Sequence, residues 1–258
     1  MTTITNNQTP LAAIILAAGK GTRMGTDLPK ILHLVAHKPM VQWVVDAVTE
    51  AGVSRTVLVV GHGADQVKAQ IPNCEFVLQE PQLGTGHAVD VCRETLADFD
   101  GDILILGGDG PLIRAETITQ MVNKQKETNA SATLATSTIP DPTGYGRIVR
   151  DTNDRFISIV EHKNATQQQI DIHEVYPSYA IFKAASLWSC LENLERNPVS
   201  NEYYLTEVPA MMLARGEKVE IVNAVPPEDI LSINTPEQLA EVEALLHARL
   251  DKTLESTS

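Results

Sequence analysis

Short apolar runs alternate with helix-like segments along the first half of the chain, and this alternation constrains the fold most. The run Leu11–Ala18 is continuous and closed by Gly19, as in a strand that is buried on both faces. Strands alternating with helices predict an α/β fold whose mostly parallel sheet is covered on both sides. The further predicted elements are the strands Thr56–Val60, Glu75–Leu78, Asp102–Leu106 and Ala132–Thr136 and the helices Met40–Ala51, Gly63–Ile71, Gly86–Leu96 and Thr117–Thr128.

The second half of the chain is less regular and predicts strands and turns added to the same sheet. Its predicted elements are the strands Tyr179–Phe182 and Val219–Val222 and the helices Ala184–Leu194, Thr206–Ala214 and Pro236–Leu250. No repeat, low-complexity tract or linker divides the sequence. We therefore expect one domain over residues 11–250, with loose tails at residues 1–10 and 251–258.

The charge balance limits the partners that this chain can have. With 20 Lys and Arg against 33 Asp and Glu, the net charge is −13, which argues against binding to nucleic acid or to an anionic membrane. A few focused cations could still hold a phosphorylated substrate. The three cysteines are far apart and form no CxxC motif, which indicates reduced thiols rather than disulfides or a zinc site. Without a leader-like or membrane-spanning apolar run, we expect a cytoplasmic protein.

The strongest chemical signal directly follows the first predicted strand. Residues 16–30 read LAAGKGTRMGTDLPK, a pattern of the form L-x-x-G-x-G-T-x-M-x-x-x-x-P-K. Gly19 and Gly21 would let backbone N–H groups approach an anion, and Arg23 and Lys30 add positive charge beside them. The pattern lacks the Gly-Lys-Ser/Thr of a P-loop, and Met24 occupies the third glycine position of the dinucleotide fingerprint. A triphosphate is the natural guest, although a tight turn with surface charges would give the same glycines and bases.

Other polar residues follow later strands, where ligands of open α/β sheets bind. Asp109 ends the segment Gly107-Gly108-Asp109, and Glu161 follows another apolar run. Without further evidence, Asp109 is also explained as a turn or helix-capping residue, and Glu161 as a solvated residue at the end of a strand. Asn234 precedes Thr-Pro, which is a common entry to a helix.

Several motifs, taken in order, resemble those of the sugar-nucleotide pyrophosphorylases, a nucleotidyltransferase family. They span almost the whole chain and are residues 16–30, 79–88, 141–148, 160–166, 201–207 and 233–239. The chain is most similar to the uridyltransferase domain of the bifunctional N-acetylglucosamine-1-phosphate uridyltransferase/glucosamine-1-phosphate acetyltransferases. The resemblance implies a three-layer α/β/α, Rossmann-like and GT-A-like fold with a mostly parallel mixed sheet.

The resemblance also implies a reaction and its catalytic residues. UTP and a sugar 1-phosphate, with N-acetylglucosamine 1-phosphate as the first candidate, would give UDP-sugar and pyrophosphate by in-line attack on the α-phosphorus. Arg23 would hold the departing phosphates, and Lys30 would neutralise charge at the α-phosphate. Asp109 and Asn234 would hold Mg²⁺, which prefers oxygen ligands and takes few of them from protein.

The remaining implied roles are contacts with the two substrates. The implied substrate-binding residues are Leu16, Ala17, Ala18, Gly19, Gln79, Gly84, Thr85, Gly107, Gly108, Gly146, Glu161, Tyr176 and Asn234. Among them, Gln79, Gly84 and Thr85 would read uracil, because amide and backbone groups can pair with its polar edge. Gly146 and Glu161 would face the sugar.

The sequence departs from the family pattern on the sugar side. The family pattern Glu-Ile-Asn-Thr-Gly is replaced by Glu-Val-Tyr-Pro-Ser at residues 174–178, so Tyr176 stands where the family has a sugar-binding Asn. Gly110 replaces a common Val, and we expect it to loosen the loop beside Asp109. The 258 residues contain no hexapeptide repeat, so we do not expect acetyltransferase activity.

Two alternative functions stay open at the level of the sequence. One is a nucleotidyltransferase of the same fold with another nucleotide or sugar phosphate. The other is a non-catalytic regulator that binds nucleotide sugars, against which the intact Arg23, Lys30, Asp109 and Asn234 argue.

Overall fold

The computed structural model describes residues 9–256. The strands are β1 (Leu11–Leu16), β2 (Leu34–Val35), β3 (Lys38–Pro39), β4 (Arg55–Val60), β5 (Glu75–Leu78), β6 (Asp102–Gly107), β7 (Ala132–Thr138), β8 (Gly146–Arg150), β9 (Phe156–Val160), β10 (Glu174–Tyr176), β11 (Ala180–Lys183) and β12 (Val219–Asn223). The helices are α1 (Met40–Glu50), α2 (Ala64–Gln70), α3 (Thr85–Asp90), α4 (Ala115–Thr128), α5 (Gln167–Ile170), α6 (Ala184–Leu191), α7 (Val208–Ala214) and α8 (Pro236–Ser256). Across this part of the chain, no helix is both long and apolar enough to cross a bilayer.

One ten-stranded sheet organises the molecule. Its order is β5-β4-β1-β6-β11-β7-β10-β8-β9, with β12 paired to β7. Strands β5, β4, β1 and β6 are mutually parallel, as is the β7–β12 pair. From β6 through β11 to β9 the ladders are antiparallel. The predicted α/β fold with a mixed sheet is confirmed, and its antiparallel ladders come from the less regular second half of the sequence.

The two faces of the sheet carry separate apolar cores, which makes the fold three-layered. In β1, Ala13 and Ile15 belong to one core and Ala12 and Ile14 to the other, because successive side chains of a strand point to opposite faces. Helices α1, α2, α4 and α8 contribute to the first core, and α3, α6 and α7 to the second. This double coverage explains why β1 is apolar throughout.

The register of the parallel strands gathers the polar motifs at one edge. Leu16 at the end of β1 pairs with Gly107 of β6, and Val60 at the end of β4 pairs with Leu78 of β5. Because these strands run in the same direction, the segments that follow them share the carboxyl edge of the sheet.

Several boundaries differ from the sequence expectation. Helix α3 ends at Asp90, and turns replace the predicted helix up to Leu96. The last helix continues to Ser256, past the predicted end at Leu250, so the tail expected from residue 251 is helical as far as residue 256. The tail expected at residues 1–10 lies outside the described residues, apart from residues 9 and 10.

A buried carboxylate ties α8 to the loop between β6 and α4. Asp229 is 1% exposed and accepts hydrogen bonds from Arg114, which precedes α4, and from Arg249 on α8. Arg249 also donates to the Leu112 carbonyl at 2.9 Å. Downstream of Asp229, the Ile233 amide donates to the Asp109 carbonyl at 2.9 Å. These contacts hold the segment that carries Asn234 against the segment that carries Asp109.

We expect Asp229→Ala to lower the free energy of unfolding by roughly 3 kcal/mol, because removing one partner of a buried ion pair leaves uncompensated charge behind. Urea denaturation measures the change. Glu228→Gln is the matched control, since Glu228 faces the same Arg114 at 3.5 Å but has a 52% exposed side chain. Equal stability of the two variants would contradict this account of Asp229.

Candidate active site

A cleft of about 780 Å³ opens at the carboxyl edge of the parallel strands. It is lined by all the site residues predicted from the sequence except Gly108. The predicted residues found in its wall are Leu16, Ala17, Ala18, Gly19, Arg23, Lys30, Gln79, Gly84, Thr85, Gly107, Asp109, Gly146, Glu161, Tyr176 and Asn234. The fold therefore brings them together, while their individual roles stay predictions.

Gly108 lies behind the cleft, buried between the ends of β1 and β6. Its amide donates to the Leu16 carbonyl at 2.9 Å, and a Cβ at this position would lie 3.2 Å from the same oxygen. Gly108 therefore permits close approach of two strand ends. It is not among the residues that line the cleft.

The backbone of the glycine loop passes close to Lys30, which lines the cleft. Gly21 has a φ of +62°, and a Cβ there would lie 2.5 Å from the Lys30 Cβ, so both conformation and space require glycine. Lys30 opens a short 3₁₀ turn whose next two residues, Ile31 and Leu32, are buried. Anchoring of these apolar side chains fixes the start of the Lys30 side chain.

Lys30 is the centre of a cluster drawn from three distant segments. Its Nζ donates to Asp109 Oδ2 at 2.6 Å and to Asn234 Oδ1 at 2.9 Å. The exposed Arg23 also donates to Asn234 Oδ1, at 3.0 Å. The partly buried Lys30–Asp109 pair is stronger than a surface ion pair because less water screens it.

Asn234 is oriented by the entry to α8. Its amide donates to Gln238 Oε1 at 2.8 Å, and the Gln238 amide donates to Thr235 Oγ1 at 3.4 Å, so Gln238 ties the residues before α8 to its first turn. The Asn234 Nδ2 group donates to Ser232 Oγ at 3.2 Å. With its nitrogen held there, the side-chain oxygen faces Lys30 and Arg23.

Asp109 and Asn234 offer the oxygen donors that Mg²⁺ prefers. Asp109 Oδ1 is the carboxylate oxygen not bonded to Lys30, and a Cβ on Gly107 would lie 2.8 Å from it, so this glycine keeps the approach to Oδ1 open. Within residues 9–256, no three His, Cys, Asp or Glu side chains form a metal-binding group. Two protein oxygens nevertheless suit an ion that completes its shell with phosphate and water. The two residues supply oxygens of the kind that the predicted ion takes, with Asp109 Oδ1 open and Asn234 Oδ1 accepting from Lys30 and Arg23 in this structure.

The segment after β5 forms a second wall of the cleft. Gln79 is 5% exposed, and its Nε2 donates to the Gly84 carbonyl at 3.0 Å and lies 3.2 Å from His87 Nδ1. Those contacts leave the amide oxygen as an acceptor. Gln82, which sequence reasoning missed as a site residue, donates to the Ala18 carbonyl and thereby joins this wall to the glycine loop.

The far wall carries Glu161 at the end of β9 and Tyr176 at the end of β10. Glu161 Oε1 accepts a hydrogen bond from Thr206 Oγ1 at 3.0 Å. Tyr176 pairs with Gly146 across the sheet and is 5% exposed. Burial, with a smaller contribution from Glu161, raises the pKa of Tyr176, so its hydroxyl stays protonated. Ser178 keeps a φ of +67°, a conformation that favours the glycine of the family pattern.

The sequence model of the MobA-like NTP transferase domain family matches residues 13–195. The chain belongs to this family. It is therefore a nucleotidyltransferase of the sugar-nucleotide pyrophosphorylase type, and the resemblance drawn from its motifs is confirmed. Family members bind nucleoside triphosphates and sugar phosphates.

Curated relatives of this family match nearly the whole chain. The bifunctional protein GlmU of Brevibacillus brevis is 41% identical over 92% of this chain, and that of Bacillus cereus is 42% identical over 93%. In both cases the chain spans about half of the relative, 52% of its length. A crystal structure of UDP-glucose pyrophosphorylase complexed with UDP-glucose shares the fold, with a TM-score of 0.75, 17% identity and coverage of 93% of this chain and 99% of that one.

The structure adds cleft residues of the family domain to which sequence reasoning gave no role. Tyr145, Lys163, Tyr179 and Tyr204 all line the cleft. Lys163 Nζ lies 4.9 Å from the centre of the Tyr204 ring, a cation–π contact. Tyr145 and Lys163 stand inside motifs that were recognised from the sequence, between Gly144 and Gly146 and after Glu161. Tyr179 carries no such signal.

Gly84 shapes the wall that Gln79 supports. Its φ is +104°, and a Cβ there would lie 2.5 Å from the Tyr203 carbonyl oxygen. The Tyr203 amide in turn donates to the Leu83 carbonyl at 2.8 Å. This close backbone approach fixes residues 83–86 against the segment before α7.

We expect Gly84→Ala to lower the melting temperature more than Gly52→Ala does. Gly52 also has a positive φ, +82°, but nothing lies within 4 Å of its Cβ position, so alanine there adds only backbone strain of about 1 kcal/mol. At Gly84 the collision with backbone adds to that strain. Thermal unfolding of both variants measures the difference, and equal shifts would show that the approach at Gly84 is not close.

Proposed function

We propose that this chain is a Mg²⁺-dependent uridylyltransferase that condenses UTP with a sugar 1-phosphate, N-acetylglucosamine 1-phosphate in the first place, to UDP-sugar and pyrophosphate. The observation that carries the proposal is the cluster in which Lys30 and Arg23 meet Asp109 and Asn234 at the ligand-binding edge of the sheet. The family and the likeness to UDP-glucose pyrophosphorylase support the same reaction class.

The reaction needs position and charge rather than a protein nucleophile. A sugar phosphate oxygen is already anionic, so it can attack the α-phosphorus of UTP in line without a general base. Lys30, held in place by Asp109 and Asn234, would stabilise negative charge at the α-phosphate. Arg23 is exposed on the glycine loop and would hold the departing pyrophosphate.

The metal would bind at Asp109 and Asn234. Nucleotidyltransferases of this family generally use a divalent metal. When bound, Mg²⁺ would neutralise phosphate charge beside the α-phosphorus. The two oxygens belong to segments fixed by the contact between the Ile233 amide and the Asp109 carbonyl, so the donor positions are preorganised.

The base would be read at the wall formed by Gln79, Gly84 and Thr85. The Gln79 Nε2 group is bonded to the Gly84 carbonyl, which leaves the amide oxygen to accept from the N3–H of uracil. Cytosine presents an unprotonated N3 and so offers no such donor. This wall therefore favours UTP over CTP.

A substrate panel tests the proposal directly. UTP, CTP, GTP and dTTP are each paired with several sugar 1-phosphates, and pyrophosphate release is followed with and without Mg²⁺. We expect turnover with UTP that requires the ion. No turnover with any UTP pair would overturn the proposal in favour of a nucleotide-sugar-binding regulator, and preference for another nucleotide would replace its base assignment.

We expect Asp109→Ala to lower kcat by at least about 10²-fold, because it removes both a metal donor and the anchor of Lys30. Asp98→Ala is the matched control, since Asp98 has an 83% exposed side chain paired with Arg55 and lies outside the cleft lining. Circular dichroism establishes that both variants are folded. Full activity of folded Asp109→Ala would remove Asp109 from the metal site.

The remaining expectations from the sequence are part of the same proposal. The partners are UTP and a sugar 1-phosphate, with no nucleic acid or membrane partner, and the location is the cytoplasm. The net charge of −13 is compatible with phosphorylated partners, because Arg23 and Lys30 place positive charge in the wall of the cleft itself.

A further inference from the structure

Gly110 and Tyr179 occupy one space between the metal donors and the wall of the cleft. The backbone of Gly110 does not adopt a positive φ, so its conformation does not require glycine. A Cβ at Gly110 would lie 2.8 Å from Tyr179 Oη and 3.8 Å from Tyr179 Cζ. Glycine therefore stands at this position because the tyrosine hydroxyl takes the room. This glycine thus has a packing reason in addition to the loosening of the loop that the sequence predicts.

The Tyr179 ring has little freedom to move away. It is 2% exposed and belongs to the core on one face of the sheet. Its carbonyl accepts from the Ala135 amide at 3.0 Å. The next residue, Ala180, begins β11 and pairs with both β6 and β7. The hydroxyl is thus placed by a buried ring that directly precedes a strand at the centre of the sheet.

This hydroxyl lines the cleft and has no hydrogen-bond partner among the described residues. In the described part of the chain, the buried side-chain hydroxyls without a partner are those of Ser137 and Tyr204, so the Tyr179 hydroxyl, which is not one of them, is accessible from the cleft. Tyr145 shows the ordinary case, because its hydroxyl donates to the Ile230 carbonyl at 3.2 Å. The position of Tyr179 Oη therefore points to a partner that enters the cleft.

The surroundings of the two cleft tyrosines indicate which part of a substrate each would meet. Tyr179 Oη lies 2.8 Å from the Cβ position of Gly110, which directly follows Asp109, whereas Tyr176 pairs with Gly146 on the wall that carries Glu161. Tyr179 is thus on the side of the metal donors and Lys30, where phosphate oxygens would gather. Tyr176 is on the side assigned to the sugar ring.

We propose that Tyr179 contacts the substrate directly, donating its hydroxyl hydrogen to a phosphoryl oxygen of the sugar 1-phosphate from the space that Gly110 leaves. The inference rests on the proposed function and adds to it a donor for the attacking phosphate. That donor would help to orient the phosphate for in-line attack. Gly110 and Tyr179 form one unit, because a side chain at residue 110 would overlap the Tyr179 hydroxyl.

The first test compares Tyr179→Phe with the wild-type chain. We expect kcat/KM for the sugar 1-phosphate to fall about tenfold, by the same factor for every sugar 1-phosphate that the wild type accepts. The KM for UTP and the melting temperature should not change, because the ring and its packing remain. Tyr203→Phe is the matched control, since the Tyr203 side chain packs on Arg196 and does not line the cleft.

The outcomes separate the two proposals. An unchanged kcat/KM in Tyr179→Phe would overturn the donor role. A loss that varies from sugar to sugar would overturn its assignment to the phosphoryl group. If the wild type turned over no UTP pair at all, the proposed function would fail, and with it the contact between Tyr179 and the phosphate. The overlap between residue 110 and the Tyr179 hydroxyl would still be tested by protein stability.

The second test uses stability and does not depend on turnover. Gly110→Val should lower the melting temperature by several degrees, and adding Tyr179→Ile should recover most of that loss, because isoleucine vacates the space beside Val. In an active enzyme the double variant should keep the reduced kcat/KM of Tyr179→Phe. A Gly110→Val variant as stable as the wild type would contradict the claim that residue 110 and the Tyr179 hydroxyl compete for one space.

Discussion

The bridge from Lys30 to Asp109 and Asn234 is the interaction on which the rest of the site depends. It joins three segments that are far apart in the sequence, with distances of 2.6 and 2.9 Å from one ammonium nitrogen. In the absence of such a cation, the Asp109 carboxylate would sit in a partly buried place with its charge uncompensated. The bridge keeps the glycine loop, the end of β6 and the entry to α8 in one arrangement that a triphosphate could enter.

The surrounding fold holds Asp109 and Asn234 in position for this bridge. Asp109 follows β6, which lies between β1 and β11 at the centre of the sheet. Asn234 is held by the bond from its amide to the Gln238 side chain at the start of α8 and by the contact of the Ile233 amide with the Asp109 carbonyl. Asp229 then fastens α8 to the β6–α4 loop from the opposite side. Helix α8, at the end of the described chain, thus helps to position residues of a cleft that lies at the ends of the first strands.

The sequence allows prediction of those features that depend on local patterns. Buried strands show as continuous apolar runs, and the glycine loop shows as a spacing of glycines and bases, so the parallel half and the cluster around Lys30 could be predicted. Gly108 is predicted by resemblance to bind substrate, and no local pattern reveals the further constraint that the structure adds, the 3.2 Å between its Cβ position and the Leu16 carbonyl oxygen. The antiparallel order of β11, β7, β10, β8 and β9 depends on long-range pairing that no local pattern encodes.

Gly110 and Tyr179 show the same limit at the scale of two side chains. In the sequence, Gly110 is predicted only to loosen a loop, and Tyr179 carries no signal at all. They lie far apart in the sequence, and only the 2.8 Å separation between a glycine Cβ position and a phenol oxygen makes them one unit. Because a close-packed interior does not tolerate an overlap of this size, the missing side chain at Gly110 and the Tyr179 hydroxyl depend on each other. The shape of this wall of the cleft therefore has to be derived from the pair of residues rather than from either position alone.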